Sequence, residues 1–146
     1  MNERLKSLFA ALVIYRHNIN ILHWKVKGCH FDCLHELFDN YGDKFNSFID
    51  EVAEILLITG CNPLSIQACI ENASNDKNNH IVLSPDDDYD CDDAPKQIGI
   101  MFSTLLNMYA EISNNKDLTS DLQSKLDEHM HWLRLEYNYK NSRRVH

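Results

Sequence analysis

Apolar residues recur three and four positions apart through most of the chain, the spacing of helices that bury one side. Leu5, Leu8, Phe9, Leu12, Ile19 and Leu22 predict an amphipathic helix from about Asn2 to Lys27, with Gly28 just past its end. Leu34, Leu37, Phe38, Tyr41, Phe45, Phe48, Ile49, Val52 and Leu56 predict a second, from Phe31 or Asp32 to about Thr59, stopped by Gly60, Asn62 and Pro63. After Pro63, LSIQACIENA predicts a short helix. Ser74 to Asp93 is polar and acidic and reads as a loop. Ile98, Met101, Phe102, Leu105, Tyr109 and Ile112 mark a third long helix, capped by Asp92 or Asp93 with Pro95 in its first turn. Past a turn at Asn114–Asn115, a fourth carries Leu118, Leu122, Leu126, Leu133 and Tyr137.

Two long helices, a crossing segment with one short helix, and two more long helices make an all-α four-helix bundle. Its one long connection, between helices 2 and 3, is that of the ferritin-like arrangement, where metal sites form from inward side chains. At 146 residues and 44% hydrophobic, residues 1–146 suffice for a single domain with a real core. Four glycines and three prolines suit long helices. A formal charge of −8 excludes nucleic-acid binding by the body, leaving only the short basic C-terminal tail, Lys140 to His146. The five cysteines are odd in number and show no repeated CxxC, so a reducing cytoplasm is expected rather than a disulfide framework. Cys29, His30 and Cys33 lack a second pair at zinc-ligand spacing; the cysteines read as small buried or half-buried residues and His30 as a surface or capped residue at a helix end. Arg4 and Lys6 before LFAALVIY imitate a signal peptide, but no small-residue cleavage site follows. No run is long enough to cross a membrane.

The stretch LHWKVKGCHFDCLHELFD, residues 22 to 39, sets histidines and acids among apolar positions, and that ligand mixture suits iron, zinc or manganese. At about 100° per residue, with His35 at zero, Asp39 falls near 40°, Asp50 near 60° and Glu54 near 100°. All four share one arc of the second helix. Along the axis, however, His35 and Glu54 lie about 28 Å apart, and Asp39 and Asp50 about 16 Å. Metal–ligand bonds are only about 2.0–2.6 Å long, so no single ion spans both pairs in one chain. Two chains packed antiparallel along this helix remove the conflict. His23, His35 and Asp39 of one then face Asp50 and Glu54 of the other, giving two identical sites.

His23-Trp24, Val26, Gly28, Phe31, Leu34-His35, Asp39, Tyr41, Asp50, Ala53 and Glu54, followed by Gly60-x-x-Pro63, resemble the Dps family, the miniferritins named as DNA-binding proteins from starved cells. The resemblance is densest from Leu22 to Pro63. It implies a ferritin-like bundle assembled into a hollow homo-oligomeric shell of twelve subunits. It also implies an iron site, mono- or di-iron, between two-fold-related subunits, built from His23, His35, Asp39, Asp50 and Glu54, with Trp24 packed near it. The implied activity is ferroxidase: Fe(II) is oxidised, preferentially by hydrogen peroxide, and ferric mineral is stored within the shell. Zinc and manganese are competitors for such a site. Asp117 and Asp121 are candidates for a negatively charged three-fold pore, against the plainer reading as caps or dipole partners.

Two departures stand out. Only Met1 to Arg4 precede the first apolar residue, where DNA-binding Dps members often carry a lysine-rich arm; Lys140, Arg143 and Arg144 are the remaining candidates for DNA contact. Ile55 stands where the family usually has arginine, removing a local salt bridge. The alternative function is a DNA-compacting or structural shell with little ferroxidase activity. A di-iron enzyme with metals inside the bundle needs ExxH on two helices, and only Glu128-x-x-His131 fits. His35-Glu36-Leu37-Phe38-Asp39 departs from the HExxH of metalloproteases at its last ligand. The Asp86–Asp93 acids read as a solvated loop.

Overall fold

The computed structural model describes residues 2–28, 31–75, 88–114 and 118–143, and of Phe31 and residues 139–143 the backbone alone. The elements run α1 (Asn2–Lys25), β1 (Val26–Lys27), α2 (Phe31–Ile58), α3 (Ile66–Asn75), β2 (Tyr89–Asp90), α4 (Asp93–Ser113) and α5 (Ser120–Arg143). The four long helices α1, α2, α4 and α5 form the bundle, and α3 packs on α1. The predicted turn at Asn115, and residues 76–87 of the predicted loop, lie outside the described residues. Helix α5 continues through residues 140–143 of the segment expected as a basic tail.

Helix α1 is the centre of the fold, packing against α2, α3 and α4. Leu8, Phe9, Ala10, Ala11 and Leu12 are all buried. Five successive residues at about 100° each close a full circle, so this part of α1 is enclosed on every side rather than amphipathic as expected. Glu3, Arg4, His17 and Trp24 remain at the surface. On α2, Phe38, Tyr41, Phe45, Phe48, Val52 and Leu56 face inward. The rings of Tyr41, Phe45 and Phe48 meet Phe102 of α4 and Trp132 of α5 in offset and edge-on contacts of 5.2–5.9 Å, the geometry aromatic quadrupoles favour. Ile55, in the place of the expected arginine, is buried in this core.

The helix ends follow local chemistry. At the close of α2, Cys61 N–H donates to the Leu56 carbonyl at 2.8 Å and Gly60 N–H to Leu57 at 3.1 Å. Gly60 takes φ +88°, the left-handed turn such a stop requires. Helix α1 does not run to Lys27: Val26 and Lys27 leave it and pair in parallel with Tyr89 and Asp90, a contact hidden in the predicted loop. The Lys27–Asp88 ion pair at 3.2 Å reinforces it at the surface. Gly28 then reverses the chain at φ +100°.

The start of α4 corrects the expected cap. Asp92 is already helical and makes no side-chain cap bond. Asp90 Oδ1 instead accepts the backbone N–H of Asp93 at 2.7 Å and of Asp92 at 2.9 Å. These two donors hold the Asp90 carboxyl below the usual carboxylate range.

Phe45 packs against Phe48 and Phe102 and is fully buried. Phe45→Ala is expected to lower stability by about 3–5 kcal/mol, read as a shift in the chemical-denaturation midpoint.

Candidate metal centre

The reversal between α1 and α2 brings His23 and His35 face to face. Their rings stack with centroids 3.7 Å apart and planes 19° from parallel. His23 Nδ1 donates to the His35 backbone carbonyl and His35 Nδ1 to that of His23, each at 2.8 Å. A carbonyl can only accept, so both Nδ1 atoms carry hydrogen. In each neutral ring the lone pair then lies on Nε2, the arrangement of a metal-ligating imidazole fixed by its outer partner. Both side chains are half-buried.

Asp39, Asp50 and Glu54 lie on the exposed side of α2. The described residues of a single chain contain no group of three or more His, Cys, Asp or Glu side chains able to hold a metal ion. The histidine pair and the distal acids thus stay at opposite ends of one helix face. Exposed apolar residues occur on three helices: Leu57 and Ile58 on α2, Ile66 and Ile70 on α3, and Trp24 at the end of α1 are 53–68% exposed. Trp24 is thus a surface aromatic, with the His17 ring edge-on at 6.3 Å.

Other candidates separate from this face. Asp121 is exposed in the first turn of α5, while Asp117 lies outside the described residues, as do Cys29 and His30 of the Cys29-His30-Cys33 group. Glu128 and His131 are exposed, so their ExxH motif does not point into the bundle. The described cysteines form no disulfide with one another.

The polar group that sequence spacing missed is beside them. His129 is 2% exposed, stacked on Phe48 at 4.0 Å. Its Nε2 lies 3.0 Å from Glu51 Oε2, and its Nδ1 2.8 Å from the Tyr109 hydroxyl. A carboxylate only accepts, so Nε2–H donates to Glu51 and, in the neutral ring, Nδ1 accepts the Tyr109 O–H. A histidine between Leu126 and Leu133, on the apolar side of α5, was the available signal.

The curated "DNA protection during starvation protein" of Listeria innocua is 38% identical over 73 residues, 49% of this chain and 47% of that protein. The chain thus matches about half the length of this curated relative. A Dps protein from Vibrio cholerae, described as a member of a superfamily of ferritin-like diiron-carboxylate proteins, superposes with a TM-score of 0.83 at 20% identity, covering 97% of this chain and 86% of that one. The zinc-soaked Dps of Listeria innocua superposes at 0.79 with 25% identity, covering 90% and 87%. The chain has the ferritin-like fold of the Dps proteins. No protein-family model matches it.

Within this Dps fold, burial pushes the proton affinity of His129 down, and the Glu51 carboxylate only partly opposes it. The unfolded chain therefore gains this proton first as pH falls below the ordinary histidine value of about 6.5. The stability owed to neutral His129 is present above that pH and is lost as pH falls toward the lower folded value. The denaturation midpoint is expected to drop between about pH 7 and pH 5, and the drop to be smaller in His129→Gln.

Proposed function

We propose that the chain is a Dps-type miniferritin that binds Fe(II) between two subunits, oxidises it and retains the ferric product inside a hollow shell. The reading is carried by the His23–His35 pair: two imidazoles tied through Nδ1 to backbone carbonyls, beside the α2 face that carries Asp39 close to His35 and, too far along the axis to join them within one chain, Asp50 and Glu54. An antiparallel copy of α2 would bring Asp50 and Glu54 of one subunit to His23, His35 and Asp39 of the other. The exposed Trp24, Leu57, Ile58, Ile66 and Ile70 favour association, because exposed apolar surface is what association buries.

In this site the imidazoles would hold ferrous iron, and the hard carboxylate oxygens would favour the ferric state. Hydrogen peroxide is the proposed oxidant. Two irons would each give one electron to one peroxide, which leaves as two hydroxides, so no hydroxyl radical is released. The net negative charge, with Asp117 and Asp121 as the proposed pore acids, would raise the local cation concentration on the way in. Twelve subunits, a cytoplasmic setting, and zinc or manganese as competitors belong to the same reading. Among the described residues no helix is long and apolar enough to cross a membrane. The charge of −8 makes DNA a poor partner for the shell body.

Stopped-flow ferrous oxidation with peroxide or with air tests the function. Wild type should oxidise iron well above the buffer rate with peroxide, and Asp50→Ala/Glu54→Ala should lose at least about tenfold on an assembly of unchanged mass. An intact shell without such activity would favour the structural or DNA-compacting alternative. The contact has its own test: Ile58→Asp and Ile66→Asp place charge in the proposed interface and should reduce the assembled mass in sedimentation.

A further inference from the structure

The distal end of α2 carries three acids, Asp50, Glu51 and Glu54, of which only Asp50 and Glu54 share the exposed arc with His35. Glu51 lies about 60° round the helix from Glu54 and three residues before it, a spacing at which helix side chains meet. Left to itself, its carboxylate could reach a cation held by Glu54. It is drawn the other way. Glu51 Oε2 accepts Nε2–H of His129 at 3.0 Å, from the inner side of the helix.

That imidazole is fixed on every side. It stacks on Phe48 at 4.0 Å and meets the Tyr109 ring edge-on at 5.7 Å. Tyr109, fully buried on α4, holds Nδ1 through its hydroxyl at 2.8 Å. The chain of bonds has one direction, from Tyr109 O–H to His129 Nδ1 and from His129 Nε2–H to Glu51. It terminates in a carboxylate next to a proposed metal ligand.

The geometry points to His129 as a positioning residue, resting on the metal-site reading above: it holds Glu51 off the metal and keeps the acid end at two carboxylates, Asp50 and Glu54. The consequence is selectivity. A fourth carboxylate, beside Asp39, Asp50 and Glu54, shifts a mixed imidazole–carboxylate set toward the higher-coordinate, oxygen-dominated sites that hard divalent cations prefer. With Glu51 held away, the site keeps two imidazoles beside three carboxylates, a mixed set that suits ferrous iron.

Co2+ titration of the assembled protein tests this, since its visible spectrum reports coordination number without turnover. In His129→Leu the freed Glu51 should tighten Co2+ binding on the order of tenfold, the scale at which outer partners of metal ligands act. The visible band should weaken as coordination rises. His129→Gln, which keeps a donor for Glu51 and an acceptor for Tyr109, should match wild type. His129→Leu/Glu51→Gln should return to the wild-type spectrum, which a merely distorted core would not do. Glu51→Gln alone removes a charge from a partly exposed position and should leave Co2+ binding unchanged; this variant decides the matter if His129→Leu does not assemble. An unaltered spectrum in assembled His129→Leu, no reversal in the double variant, or lost binding in Glu51→Gln would overturn the proposal. If wild type takes up no Co2+, or Asp50→Ala/Glu54→Ala keeps it, the metal-site reading itself fails and this proposal falls with it.

Discussion

The reciprocal hydrogen bonds of His23 and His35 join folding to ligand chemistry. The His23 carbonyl lies in the last turn of α1, where backbone acceptors lose their helical donors, and His35 Nδ1–H satisfies it. The return bond from His23 locks the other ring against the first turns of α2. The α1–α2 reversal is therefore closed by the same two protons that direct both Nε2 lone pairs away from the backbone. A change that opened the reversal would release the tautomers, and a change that replaced either ring would leave a helix-end carbonyl to find another donor. Gly28 makes the approach feasible by turning the chain at a φ that side-chain-bearing residues rarely adopt.

What was legible in the sequence had a short period. The long helices, the stops at Gly28 and Gly60, and the arc shared by His35, Asp39, Asp50 and Glu54 all follow from 3.6 residues per turn and from local φ preferences. The features that escaped need partners distant in sequence. Val26–Lys27 and Tyr89–Asp90 pair across some sixty residues as two-residue strands, too short to leave a period of two. In DYDCDD, composition marks a capping region but does not choose Asp90 over Asp92 or Asp93. The enclosure of α1 depends on three neighbouring elements, which its own apolar spacing does not count. His129 escaped for the same reason: its partners Glu51 and Tyr109 lie on two other helices, and only the bundle brings them together.

Two partly buried polar links fix the rotation of α2, and with it the outward face. Tyr41 O–H donates to Glu136 of α5 at 2.9 Å, and burial together with that carboxylate pushes the phenol's proton affinity up. A few turns later Glu51 is held by His129, also of α5. Hydrogen bonds to charged groups contribute about 1.5–3 kcal/mol each, and a chain lacking one partner would strand the other in the core. The apolar residues alone would tolerate some slippage among similar side chains; these links do not.

A rotation of α2 by one residue, about 100°, shows how strongly the arrangement resists. It would carry Glu54 into the place of Ile55, which is fully buried against the core, and leave a carboxylate there without a counter-charge, at a cost of several kcal/mol. It would also break both polar links and turn Ile55 out to solvent. The acids face outward because the inner side of the helix is committed at Tyr41, Glu51 and Ile55. Ile55, packed in the core, pins the same helix. The face left over, with the proposed ligands at both ends, is fixed in orientation within the single chain, so an antiparallel copy would meet a preformed surface rather than one that must reorganise on contact.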